Sequence, residues 1–141
     1  TKPGGIHARY YQGRGFDKLV AQCAEKGILL DARHRLPKGV AKSDFSARFE
    51  GYLFFPSGGR FFLCTHSDDG VRLYLRGKRL IDHWRGHRRM RDCARVRVKR
   101  GWYPLRVDFF NRGGTAHLRL ERGPALPRLH TIPAEHYCCG D

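Results

Sequence analysis

Alternation of apolar and polar residues, sustained from about Phe45 to Glu121, constrains this chain more than any other feature. Successive side chains of a strand point to opposite faces, so a period of two means sheet with one face buried. In "VRLYLRG", Val71, Leu73 and Leu75 share one face, and Arg72 and Tyr74 the other. In "ARVRVKRG", Ala94, Val96 and Val98 oppose Arg95, Arg97 and Lys99. Leu105, Val107 and Phe109 oppose Arg106 and Asp108, and Ala116, Leu118 and Leu120 oppose His117, Arg119 and Glu121. This is the pattern of antiparallel sheet with one side packed on a core.

Turn signals separate the strands. "PSGGR" (Pro56 to Arg60), "RGK" (Arg76 to Lys78), "KRGWYP" and "NRGG" (Asn111 to Gly114) each carry the glycine that a hairpin turn needs. Strands at roughly ten-residue spacing predict an all-β antiparallel sandwich or barrel with at most one or two short helices. The one break in the pattern is "FDKLVAQCAEKGI". It places Phe16, Leu19, Val20 and Cys23 at helical spacing before a stop at Gly27, and predicts a short helix. Pro124 to Pro133 reads as a C-terminal strap.

The 141 residues suit one domain, 1–141, and are enough to bury a core. No run of about 18 apolar residues occurs, so no transmembrane helix is expected. "TKPGGIHARYY" lacks the layout of a signal peptide. The formal net charge is +15, carried by 21 Arg and 7 Lys. Such a balance favours polyanions: acidic glycan, lipopolysaccharide phosphate or, less readily, nucleic acid. It equally suits a solvated surface. The "WRGHRRMRD" loop concentrates this charge: Arg85, Arg88 and Arg89 beside Trp84 could grip a phosphate, sulfate or sugar carboxylate.

Five cysteines (Cys23, Cys64, Cys93, Cys138 and Cys139) contain no CxxC, which disfavours zinc ribbons and thioredoxin-type chemistry. Two disulfides and one spare thiol fit a secreted domain, and five reduced thiols fit a cytosolic one. The count leans toward an oxidising compartment. The neighbours Cys138 and Cys139 would bond more easily to separate partners than to each other. Eight scattered histidines form no HExxH or HxH, which disfavours a zinc site, and no GxSxG or P-loop is present.

"SDDG" remains. Alone, Asp68 and Asp69 read as an Asx-type turn between strands. As a glycosidase pair they would have to face each other across a sugar, which sequence neighbours rarely do. As a metal site they need help from the backbone, because neighbours in an extended strand diverge.

The order of several segments narrows these choices. "GIHARYY", "FSARFEGYLFFPSGGRFFLCTHSDDGVRLYLRGKRLIDHW", "VKRGWYPLRVDFFNRGGTAHLRL" and "IPAEHYC" follow one another as they do in the PA-fourteen domain family, which the chain resembles from Gly5 to about Tyr137. Its signatures are "FEGYL" (Phe49 to Leu53), "SDDGVRLYL" (Ser67 to Leu75) and "GWYPLRV" (Gly101 to Val107). The resemblance implies a sandwich or barrel-like domain, usually extracellular, non-catalytic and often carbohydrate-binding, attached to a larger protein. In the family's adhesin-type lectins an adjacent Asp pair joined by a cis peptide holds calcium together with a later Asn. Here these map onto Asp68, Asp69 and Asn111.

The chemistry is coherent. Calcium takes six to eight oxygen ligands, and two carboxylates, one amide oxygen and loop carbonyls give a partial shell. Positions left open can take water or vicinal sugar hydroxyls. Gly70 would free the backbone beside the pair. The expectation is therefore a secreted or cell-surface, lectin- or adhesin-like module that binds a neutral or anionic glycan through calcium. The alternatives are a basic polyanion-binding module and a purely structural domain.

Overall fold

The computed structural model describes residues 3–139. It is all-β, with twelve strands: β1 (Ile6–Gln12), β2 (Lys18–Glu25), β3 (Leu29–Leu30), β4 (Phe45–Phe55), β5 (Gly59–Asp68), β6 (Val71–Leu75), β7 (Lys78–His83), β8 (Met90–Val98), β9 (Gly101–Asn111), β10 (His117–Gly123), β11 (His130–Thr131) and β12 (Tyr137–Cys138). One sheet runs β2-β1-β4-β9-β6-β7, with β12 also on β4; the other runs β11-β10-β5-β8, with β3 on β10. We call them the long and the short sheet. No described helix is long and apolar enough to cross a membrane.

The alternation read from the sequence is the core pattern. Val71, Leu73, Val107, Phe109 and Leu118 are fully buried between the sheets, together with Tyr10, Phe45, Phe49, Phe55 and Leu63. Each such side chain contributes about 1.5–3 kcal/mol relative to exposure. Tyr10, Phe45, Phe49 and Phe109 form a run of tilted and edge-on rings with centroids 6.0–6.5 Å apart.

Three sequence expectations need correction. The segment expected as a helix is the edge strand β2, paired antiparallel along β1 from Ile6↔Glu25 to Gln12↔Lys18. Leu19 is exposed and Val20 and Cys23 only half-buried, so their helical spacing marks no buried stripe. Pairing with β1 overrides the local preference. Second, of the four turns only Arg76–Gly77 closes a hairpin. Both residues have positive φ (54° and 76°), the type I′ geometry that matches strand twist. "PSGGR", "KRGWYP" and "NRGG" instead carry the chain from one sheet to the other. Third, Cys138 is bonded to Cys139, where the backbone turns at positive φ (24°). The second disulfide, Cys64–Cys93, joins directly opposed residues of β5 and β8, and Cys23 is free.

Candidate functional site

Because β5, β7 and β9 each end where the chain switches sheets, three crossings gather at one end of the sandwich. Asp68 closes β5, and only Asp69 and Gly70 separate it from β6. Residues 84–89 connect β7 to β8. Residues 112–116 follow Asn111 at the end of β9.

The peptide bond between Asp68 and Asp69 is cis. The segment after it lies against the end of β9, where the Phe110 N–H donates to the Gly70 carbonyl at 3.0 Å. Gly70 is required here for close approach, because the Phe110 ring occupies the place a Cβ would take. Its φ lies outside the left-handed region. The role expected for it, a source of backbone freedom, is thus replaced by a steric one.

Asp69 is buried, with 3% of its surface exposed. The Arg112 N–H donates to its Oδ2 at 2.8 Å, and the Arg112 Nε–H to its Oδ1 at 3.2 Å. The His87 N–H reaches Oδ1 at 3.4 Å. The Arg112 guanidinium fits here because residue 86 is glycine; a Cβ there would meet it. Arg112 itself is half exposed.

Asn111 is fully buried. Its Nδ2 donates to the Lys42 carbonyl at 2.8 Å and to the Gly114 carbonyl at 3.2 Å. Two carbonyl acceptors take both amide protons and so fix which end of the amide is oxygen. That oxygen, Oδ1, is buried and accepts no hydrogen bond. A buried acceptor left so costs about 1–3 kcal/mol.

Asp68 and Asp69 open together onto a cleft of roughly 630 Å³, which Arg14, His87, Arg88, Arg112 and Gly113 also line. Asn111 lies one residue from Arg112, whose backbone binds Asp69. The structure therefore brings Asp68, Asp69 and Arg88 to one cleft, and Asn111 directly precedes Arg112 on its wall. It does not do so for the other residues singled out. Trp84 packs on Phe16 at 5.7 Å and edge-on to Phe110 at 4.8 Å, with Arg72 above its ring at 4.7 Å. Arg85 shares a separate shallow cleft with Trp84 and Asp92. Arg89 is exposed near His117, whose pKa is held below the ordinary histidine range by burial and then by Arg89 and Arg119.

His87 and Arg112 belong to the site and were not foreseen. For Arg112 the signal was present: it follows Asn111 directly, and a cation beside a buried carboxylate is the usual partner. His87 offered none, since it contributes a backbone N–H.

The donor set is two carboxylates and one amide oxygen, all hard oxygen ligands suited to calcium rather than to zinc or copper. The unpartnered Asn111 Oδ1 fits such an ion, because a cation would supply the missing partner. The half-exposed Arg112 guanidinium stands beside Asp69 as an alternative positive charge.

Comparison with known proteins identifies the fold and the family. The chain is 22% identical over 132 residues to anti-sigma-I factor RsgI3 of Acetivibrio thermocellus, covering 92% of this chain but 20% of that protein. Its fold matches an anti-sigma factor domain-containing protein with a TM-score of 0.89 at 21% identity, covering 97% of this chain and 49% of the other. It matches the PA14 sugar-binding domain of an RTX adhesin with a TM-score of 0.78 at 15% identity, over 99% of this chain and all of that one. The chain thus spans a fifth and about half of the two anti-sigma relatives. The PA14 domain model covers residues 4–138, and the chain belongs to the PA14 domain family.

Proposed function

We propose that this domain is a non-catalytic carbohydrate-binding module that recognises a glycan outside the cytoplasm, as one part of a larger protein. Asp68, Asp69 and Asn111 would hold calcium, and loop carbonyls would complete the shell on the protein side. Bound there, the ion would neutralise the aspartates and offer open coordination positions to vicinal hydroxyls. One observation carries this reading: a buried amide oxygen, fixed in orientation and without a donor, on the residue before Arg112, whose backbone N–H holds Asp69 in the cleft that the two carboxylates share.

The chain's own residues have definable tasks. The two carbonyls on Asn111 Nδ2 hold its oxygen in place. The Arg112 N–H anchors Asp69 through its backbone, so Asp69 keeps its position when the guanidinium leaves. Arg112 must swing away to free Asp69 Oδ1, and its exposure makes that movement inexpensive. Arg14 and Arg88 at the rim favour anionic over cationic sugars. The similarity to an adhesin domain described as sugar-binding supports the same reading.

The test is a glycan array probed with the protein in calcium and again in excess chelator. Binding that appears only with calcium supports the proposal. Binding unchanged by chelator, or none to any glycan, refutes it.

A further inference from the structure

The outer face of the short sheet carries basic side chains of a different kind from those of the long sheet. On the long sheet every outward arginine of the central strands meets a carboxylate. Arg9 binds Glu50 at 3.0 Å; Arg48 and Arg106 both bind the buried Asp108, at 2.9 and 2.8 Å; Arg72 binds Asp82 at 3.0 Å. On the short sheet Glu121 is shared between His66 and Arg119. Among the described residues, Arg60, Arg91, Arg95 and Arg97 have no carboxylate partner, although all are exposed.

Three of these lie in a line and the fourth stands beside its end. Arg91, Arg95 and Arg97 project from one face of β8, the edge strand, and Arg60 sits directly opposite Arg97 on β5. At about 3.4 Å per residue the row from Arg91 to Arg97 is roughly 20 Å long. At its far end Arg60, Arg76, Arg97 and Lys99 line one cleft of about 680 Å³ that contains no acidic residue. Like charges directly opposed across strands destabilise a sheet. The Cys64–Cys93 disulfide clamps β8 to β5 in the middle of this row, so the edge strand keeps its place despite the repulsion.

We propose that the β8 arginine row and the cleft at its end form a second binding site, for a linear acidic polysaccharide. Arginine suits this ligand because its planar fork meets carboxylate or sulfate with two parallel hydrogen bonds. A row along a single strand fits an extended polymer. The concave cleft cannot be filled by a planar bilayer. Single-stranded nucleic acid is disfavoured, since its binding sites stack bases on exposed aromatics. The exposed aromatics among the described residues, Tyr52 and Trp102, stand on β4 and β9 of the other sheet, while Phe62 opposite Arg95 is half-buried and Tyr103 in the cleft is buried. The site lies on a different face from the Asp68–Asp69 cleft and needs no metal, so it stands whether or not calcium binds there.

The test is calorimetry in excess chelator, with hyaluronate, dextran sulfate, neutral dextran, a single-stranded oligonucleotide and anionic lipid vesicles as probes. The two acidic polysaccharides should bind and neutral dextran should not. Affinity should fall by about ten- to hundredfold between 50 and 200 mM salt, as counterion release requires. The double variant Arg95→Glu/Arg97→Glu should weaken binding by at least about tenfold, and Arg60→Glu by a few-fold. Arg79→Glu, an exposed change on the long sheet, should have a much smaller effect than the double variant at equal thermal stability. Hyaluronate and dextran sulfate separate a preference for carboxylate from one for sulfate. The proposal is overturned if no acidic polysaccharide binds, which would leave the edge-strand charges a solely anti-aggregation role. It is also overturned if Arg79→Glu weakens binding as much as the β8 changes do, or if oligonucleotide or vesicles bind more tightly than the polysaccharides.

Discussion

The two ends of the sandwich leave opposite kinds of group unpartnered. At the end of β9 a buried amide oxygen lacks a donor, on the residue before the Arg112 that lines the Asp68–Asp69 cleft. Where β8 turns into β9, Arg60, Arg76, Arg97 and Lys99 share a cleft without an acid. The first end leaves a buried acceptor without a donor, although Arg14, Arg88 and Arg112 line the neighbouring cleft, and the second gathers cations without an acid. The buried oxygen is the more informative of the two, because burial without a partner costs free energy while an exposed arginine is satisfied by water. The same contrast separates the two sheets. Asp108 is fully buried under Arg48 and Arg106, so the long sheet is electrically closed, and the short sheet is open.

Variants can break this comparison. The largest effect is expected for Asp69→Ala, which removes a buried carboxylate that bridges the crossings: calcium affinity should fall by more than about a hundredfold, read by calorimetry. An unchanged affinity would place the ion elsewhere. Asn111→Ala should weaken calcium binding by about tenfold, as loss of one ligand from a shell of six to eight implies. A smaller change, of opposite sign, is expected for Arg112→Ala. The guanidinium competes for Asp69, so its removal should tighten calcium binding by a few-fold, in line with the modest strength of a half-exposed ion pair. Weaker binding in that variant would mean that Arg112 supports the ion instead of opposing it. The smallest effect should come from Arg95→Glu/Arg97→Glu. It should leave calcium affinity within about twofold of the parent at moderate salt, because those charges lie well beyond a Debye length from the cradle. A large shift would show that the two ends are coupled.

Much of the fold was legible because it rests on a simple period. Val71, Leu73, Val107 and Leu118 could be placed in the core from alternation alone. β2 was misread because an edge strand with little burial imposes no strict alternation, so chance apolar spacing can imitate a helix. The sheet switches were invisible for a different reason. Glycine-rich turns look alike whether they close a hairpin or cross between sheets, and only the packing of both sheets decides. At the site, Asp68, Asp69 and Asn111 came from resemblance to a family, since four letters of sequence equally describe a turn. The partners of Asn111 Nδ2, two carbonyls 69 and 3 residues away, follow from tertiary structure and leave no trace in the local sequence. Trp84 shows the same limit: it lines a cleft with Arg85, but its packing against Phe16 and Phe110 follows from tertiary structure and not from the arginines beside it in sequence.

The most direct test of the cradle is a calcium titration of chelator-treated protein followed by calorimetry, with Asp69→Ala as the comparison. The account predicts one ion bound per chain, and none in the variant at the same concentration. A parent protein that takes up no calcium, or a variant that takes up as much as the parent, would contradict it.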